Sequence, residues 1–161
     1  MIIQMNKKCF MPADILIPEN TDMTKWSVVA CDQYTSQPEY WDEVAGLAGD
    51  SPSTLKITLP EVYLEAENKD ERIGKINKTM KEYMSLMKKY ENAFVYVERT
   101  FKSGKTRRGL VGMVDLEEYD FSVGSTSLVR ATEGTVLDRI PPRVNVRCDA
   151  PLELPHIMLL T

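Results

Sequence analysis

The chain has 161 residues, 43% of them apolar, and a formal net charge of −4. That length and apolar share support one domain with its own core, without disulfide or metal staples. The negative balance gives no long-range pull toward phosphate backbones, so no nucleic-acid partner is expected unless a local basic patch provides one.

Cys9, Cys31 and Cys148 are odd in number, far apart and without CxxC or CxxH spacing, which excludes a closed disulfide set and a readable zinc site. The expectation is three reduced, mostly buried thiols in a cytoplasmic protein. The N-terminus, MIIQMNKKCFMPADILIP, places its lysines after the apolar residues, unlike a signal peptide. No stretch approaches the ~20 apolar residues of a membrane span, so no membrane partner is expected. His156 is the only histidine, which rules out histidine-cluster metal sites and leaves carboxylate sites open.

In chain order, ADILIP (13–18) and WSVVAC (26–31) read as two buried strands, being β-branched runs bounded by proline and by polar residues. SQPE has the S-x-x-E spacing of a capping box, with Ser36 and Glu39 opening a helix that carries Trp41, Val44, Ala45 and Ala48 and stops at Gly49. LKITLPEVYLE (55–65) alternates Leu55, Ile57 and Leu59 and reads as a strand before Pro60, then as an extended or loosely turned segment. From Glu71 to Tyr90, Ile73, Ile76, Met80, Tyr83, Met87 and Tyr90 recur at three- and four-residue steps, predicting one long amphipathic helix with Asn68 and Glu71 at its cap.

AFVYVERTF and RRGLVGMVDL flank KSGKT, a hairpin signal that predicts antiparallel pairing. Lys102, Lys105, Arg107 and Arg108 gather at its tip; a solvated loop accounts for them, with an anion site as the alternative. SGKT lacks the upstream glycine of a Walker motif and sits in a hairpin, so it is no P-loop. YDFSVGSTSLVRAT has extended character broken by Gly124, and LPHIMLLT reads as a buried strand that ends the chain without a polar tail. The expected class is α+β, a mixed sheet with an antiparallel hairpin packed against amphipathic helices.

RATEGTVLDRIPPR (130–143) concentrates the chemistry. Thr132, Thr135 and Asp138 offer oxygens, Gly134 admits close backbone approach, and Arg130, Arg139 and Arg143 can each grip a phosphate or carboxylate with two prongs. Leading into a helix, the loop would aim free N–H groups at an anion. A polar turn explains it equally well, with Pro141 and Pro142 as stiffeners and the arginines paired to Glu133 and Asp138.

RRGLVGMVDLEEY, RATEGTVLDRIPPR and LELPHIMLL together resemble the N-terminal part of a large bacterial family of unknown function, over nearly the whole chain. Members of that family commonly exceed twice this length, which implies that the 161 residues form one domain at the start of a longer protein. In many members TEGT is His-Glu-x-Thr, so Thr132 departs from the usual histidine. A motif usually written Pro-Tyr-Asp-Val-Ile-Ser stands here as ACDQYT.

At greater distance some members resemble the ParB and sulfiredoxin fold group, which includes nucleotide-dependent kinases of free serine. That resemblance implies a ParB/sulfiredoxin-like fold, a small-molecule substrate such as serine, and magnesium with ATP or ADP. It implies Glu133 and Asp32 as catalytic carboxylates and Gly134, Thr135 and Arg143 as phosphate-binding groups. The chemistry of the loop adds Arg139 to the phosphate grip and Asp138 as magnesium ligand. The alternative is a non-catalytic module that senses an anionic metabolite. Nucleic-acid binding by analogy with ParB is disfavoured by the net charge.

Overall fold

The computed structural model describes residues 9–120, 122–130, 134 and 136–154, with Arg139 described by its backbone. Four α-helices lie among these residues: α1 (Met23–Trp26), α2 (Pro38–Ala48), α3 (Lys69–Tyr83) and α4 (Ile140–Arg147). The strands are β1 (Phe10–Met11), β2 (Ala13–Pro18), β3 (Met87–Ala93), β4 (Val95–Thr100), β5 (Thr106–Val111) and β6 (Met113–Val114). They pair as β1–β6, β2–β3 and β4–β5, so the α+β class is built on two-stranded sheets. The chain divides into two compact units, each made of two segments: one from residues up to Ile17 with Lys89–Thr135, the other from Pro18–Lys88 with residues from Val136 onward.

The core of the second unit follows from the stripe on α3. Ile73, Ile76, Met80 and Tyr83, spaced three, four and three apart, fall on one helical face and are all buried. Trp26, Ile57 and Leu59 complete the buried cluster, and Val146, Ala150, Leu152 and Leu154 pack against it from the later segment. Inside it, the backbone N–H of Ser53, a residue with no exposed surface, donates to the Tyr83 hydroxyl at 3.2 Å. The Tyr83 ring lies tilted on Trp26 at 5.8 Å.

Helix α3 is shorter than its periodicity predicts. It ends at Tyr83, a 3-10 turn covers Met84–Leu86, and Met87 and Tyr90 lie in β3. Met87 stands four residues after Tyr83, a spacing that suits a helix, but pairing with β2 satisfies the backbone from Met87 on. The Asn68 side chain caps no N–H and instead accepts from Arg72 Nε at 3.0 Å.

Two expected strands are absent. In 26–31, Trp26 is the last residue of α1, which starts because the Asp22 carboxylate accepts the Thr24 N–H at 2.9 Å; residues 27–30 take no regular structure. Before Pro60, a 3-10 turn at Thr54–Ile57 replaces the strand, and the turned segment expected after it is the 3-10 turn Glu61–Tyr63. Thr54 and Thr58 hydroxyls tie the first turn down, donating to Trp26 and Thr54 carbonyls at 2.8 Å each. The apolar alternation nevertheless picked out two core residues, Ile57 and Leu59.

Helix α2 stops at Gly49, whose φ of +54° suits glycine, as its sequence predicts. Its start is not a capping box. Gln37 is the N-cap without a side-chain bond and Pro38 opens the helix. The turn is held instead by aromatic contacts: Tyr34, at φ +52°, stacks on Tyr40 at 3.9 Å, and Trp41 Nε1 donates to the Tyr34 carbonyl at 3.3 Å.

In the first unit, β4 and β5 form the predicted antiparallel hairpin, in register from Val95↔Val111 to Thr100↔Thr106. Gly104, at φ +79°, lets its N–H donate to the Phe101 carbonyl at 2.9 Å and closes the loop. Gly112 is required for a different reason. A Cβ there would lie 2.6 Å from the Met11 carbonyl oxygen and 2.8 Å and 2.9 Å from the Phe10 and Phe94 rings. The Asp120 carboxylate accepts the Ser122 N–H, Gly124 stands at φ +83°, and Tyr119 bridges to Val129 in parallel. The expected C-terminal strand and His156 lie outside the described residues.

Candidate functional site

A carboxylate and guanidinium cluster forms in the second unit. Asp32 lies exposed in the turn that follows Cys31. The Cys31 carbonyl accepts the backbone N–H of Glu61 at 2.8 Å, which fixes this turn beside the 3-10 turn Glu61–Tyr63. The Glu61 carboxylate in turn accepts from Arg143 Nη2 at 2.5 Å, with Glu61 mostly covered and Arg143 half exposed. Arg147, one turn further along α4, donates to Glu153. Pro141 and Pro142 sit in the first turn of α4, where a missing N–H removes no helical bond.

Burial pushes the Cys31 thiol above its ordinary pKa, the negative charges of Asp32 and Glu61 push it the same way, and Arg147 opposes them. On the turn Glu61–Tyr63, the Tyr63 hydroxyl is raised, first by desolvation and then by the Asp42 carboxylate, while the Arg72 guanidinium stacks over its ring at 4.0 Å.

Of the residues singled out in the sequence, Arg143 pairs with Glu61, and Asp32, one residue beyond the Cys31 carbonyl that Glu61 N–H reaches, accepts from the Gln33 side chain at 3.3 Å. Asp138 is exposed on the 3-10 turn Leu137–Arg139 that leads into α4, and Gly134 is exposed with open space around its α-carbon. Glu133 and Thr135 lie outside the described residues, as does Thr132, and for Arg139 only the backbone course is described. Glu61 and Arg147 were not singled out. The i, i+4 spacing of Arg143 and Arg147 on a predicted helix was the available signal for Arg147; nothing local marks Glu61, which meets α4 only in the fold. Among the described residues Arg143 pairs with a glutamate from an earlier segment, Glu61.

The cysteines depart from expectation. All three are free, but Cys9 and Cys31 are half-buried and Cys148 is exposed on the turn that follows α4. Among the described residues, no group of three His, Cys, Asp or Glu side chains is close enough to hold a metal unaided. No described helix is long and apolar enough to cross a membrane. Two shallow clefts lie elsewhere, one of about 250 Å³ lined by Glu19, Asn20, Thr21 and Ser85, the other of about 570 Å³ beside Glu117, Glu118 and Asp120.

The fold and this cluster define an α+β protein with paired acidic and guanidinium groups beside a half-buried thiol. The chain belongs to the family described as Protein of unknown function (DUF1015), whose profile matches residues 13–161. No curated protein and no solved structure matches it significantly.

Proposed function

We propose that the chain carries the phosphate-handling site of a small-molecule kinase that uses ATP or ADP with magnesium and acts on a hydroxylated metabolite such as free serine. The observation behind this reading is the half-exposed Arg143 guanidinium held on Glu61, whose backbone N–H in turn bonds to the turn that carries exposed Asp32. Phosphoryl transfer needs little more than positioning and charge neutralisation. Arg143 and Arg139 would grip the phosphates. Asp32 would take the proton of the attacking hydroxyl as its oxygen bonds to the terminal phosphorus and the bond to the departing nucleotide breaks. Magnesium is held mainly by nucleotide phosphates and one or two carboxylates, so Asp138 with the phosphates would suffice, and the ion would neutralise their charge.

Titration calorimetry of magnesium with ADP and with ATP is the test. Binding that weakens at least tenfold in Arg143→Ala, with phosphoserine formed from free serine and lost in Asp32→Asn, is the expected result. Failure of both nucleotides to bind ends the proposal. The Arg143 to Glu61 pair favours a second reading, in which a metabolite anion displaces the internal carboxylate and the protein is a non-catalytic sensor. Nucleotide binding without phosphate transfer would decide for it.

A further inference from the structure

The β4–β5 hairpin carries a charge distribution opposite to that of the chain as a whole. RTFKSGKTRR, residues 99–108, holds five cationic side chains and no acidic one, in a chain of net charge −4. Every residue from 96 to 110 is exposed, so the ribbon offers both faces to solvent beyond its base at Val95 and Val111. Six residues per strand give it a length of about 20 Å.

Its two faces differ. On one, Tyr96, Glu98 and Thr100 stand opposite Leu110, Arg108 and Thr106, and the polar groups satisfy each other: Arg108 Nε donates to Glu98 at 2.9 Å, Tyr96 to the same carboxylate at 3.0 Å, and the two threonine hydroxyls bond at 3.1 Å. On the other face, Val95, Val97 and Arg99 stand opposite Val111, Gly109 and Arg107, and none of these residues is acidic. Arg99 and Arg107 are directly opposite, a like-charge placement that costs a ribbon stability. Both guanidinium groups lie over the Phe101 ring, at 5.3 and 5.4 Å from its centroid, and Lys102 and Lys105 follow at the tip.

We infer that this face of the hairpin is a nucleic-acid-binding arm that grips the phosphate backbone. A two-stranded ribbon fits the major groove of a duplex, and guanidinium pairs match phosphate oxygens in two-pronged geometry. A bilayer surface suits the arm less well, because the one aromatic ring near the tip is covered by guanidinium groups instead of being presented to lipid. The distribution supplies the local patch without which the net charge speaks against nucleic acid.

Fluorescence anisotropy with labelled 20-mers, as duplex DNA and as single-stranded RNA, tests the inference across a salt series. Neutralisation of about four phosphates, by Arg99, Lys102, Lys105 and Arg107, predicts a log–log salt slope near −3.6 on duplex and about 150-fold weaker binding at 200 than at 50 mM salt. Lys102→Gln with Lys105→Gln, both in the exposed loop, should lower the slope by about 1.8 and weaken binding at least tenfold at 50 mM, with an unchanged circular dichroism spectrum. Preference for one of the two probes identifies the form bound. Absence of binding to both at 50 mM salt, equal binding by the variant, or binding to phosphatidylserine vesicles alone would overturn the inference.

Discussion

Replacing Tyr83 by Phe isolates one buried hydrogen bond in the core of the second unit. The ring contact with Trp26 survives the change, while the Ser53 N–H, which the Tyr83 hydroxyl accepts at 3.2 Å, loses its partner inside the core. Ser53 has no exposed surface, so water does not replace that partner. An unsatisfied buried donor costs about 1–3 kcal/mol, and removal of a hydroxyl that was itself partly desolvated offsets some of this, leaving a loss of about 1–2 kcal/mol. For a chain of this size the loss lowers Tm by roughly 3–6 °C. Tyr83→Ala, which also removes the ring, should cost about 3–5 kcal/mol.

The pH profile provides an independent readout of the same variant. Burial raises the Tyr83 pKa above that of a free phenol, so its contribution to stability is complete below about pH 10 and is lost as pH rises through the folded-state value. Tyr83→Phe should therefore flatten the alkaline decline, leaving the share due to Tyr63, which is also raised. Urea unfolding followed by circular dichroism between pH 7 and 11 measures both effects. A Phe variant within about 0.3 kcal/mol of the parent, or one as unstable as the Ala variant, would refute the assignment.

Gly112→Ala should destabilise the first unit by about 1–3 kcal/mol, because the added methyl meets backbone oxygen as well as the Phe10 and Phe94 rings, and loss of the cross-peaks between those rings in nuclear Overhauser spectra would report it. Asp14 accepts from Lys89 at 2.9 Å and from the Asn92 N–H, and these bonds hold its carboxyl below the usual range. Its contribution is present above about pH 4 and lost as pH falls through the lower folded-state value, so Asp14→Asn should shallow the acid limb of urea midpoints measured from pH 5 to 2; parallel limbs would contradict the bond. Iodoacetamide at pH 8 should alkylate exposed Cys148 faster than Cys31, whose thiol burial and two carboxylates hold protonated. Asp32→Asn should quicken Cys31 labelling, as followed by peptide mass spectrometry, and an unchanged rate would place Asp32 away from the thiol.

The parts of the fold legible in the sequence were those in which one signal acted alone. Gly49 ended α2, and the glycine-containing loop between two β-rich runs gave the β4–β5 hairpin. The α3 stripe was read at its centre and missed at its end, because a period of three and four residues continues smoothly from Tyr83 into Met87 while the backbone changes partners. WSVVAC and LKITLPEVYLE have strand-like side chains but no strand beside them; local caps by Asp22 and Ser53 determined their course. At the site, Arg143 was chosen for its chemistry, and its partner Glu61 was invisible because its role depends on a contact with α4 across many residues of chain.

The segmented make-up of the second unit has a consequence during synthesis. The apolar face presented by Ile57, Ile73 and Met80 gains its cover of Val146, Ala150, Leu152 and Leu154 only after the whole intervening unit has been translated. At about 5–20 residues per second, that leaves an oily surface on the nascent polypeptide for about 4–14 seconds, long enough for a ribosome-bound chaperone to engage it before the last helix arrives to seal it.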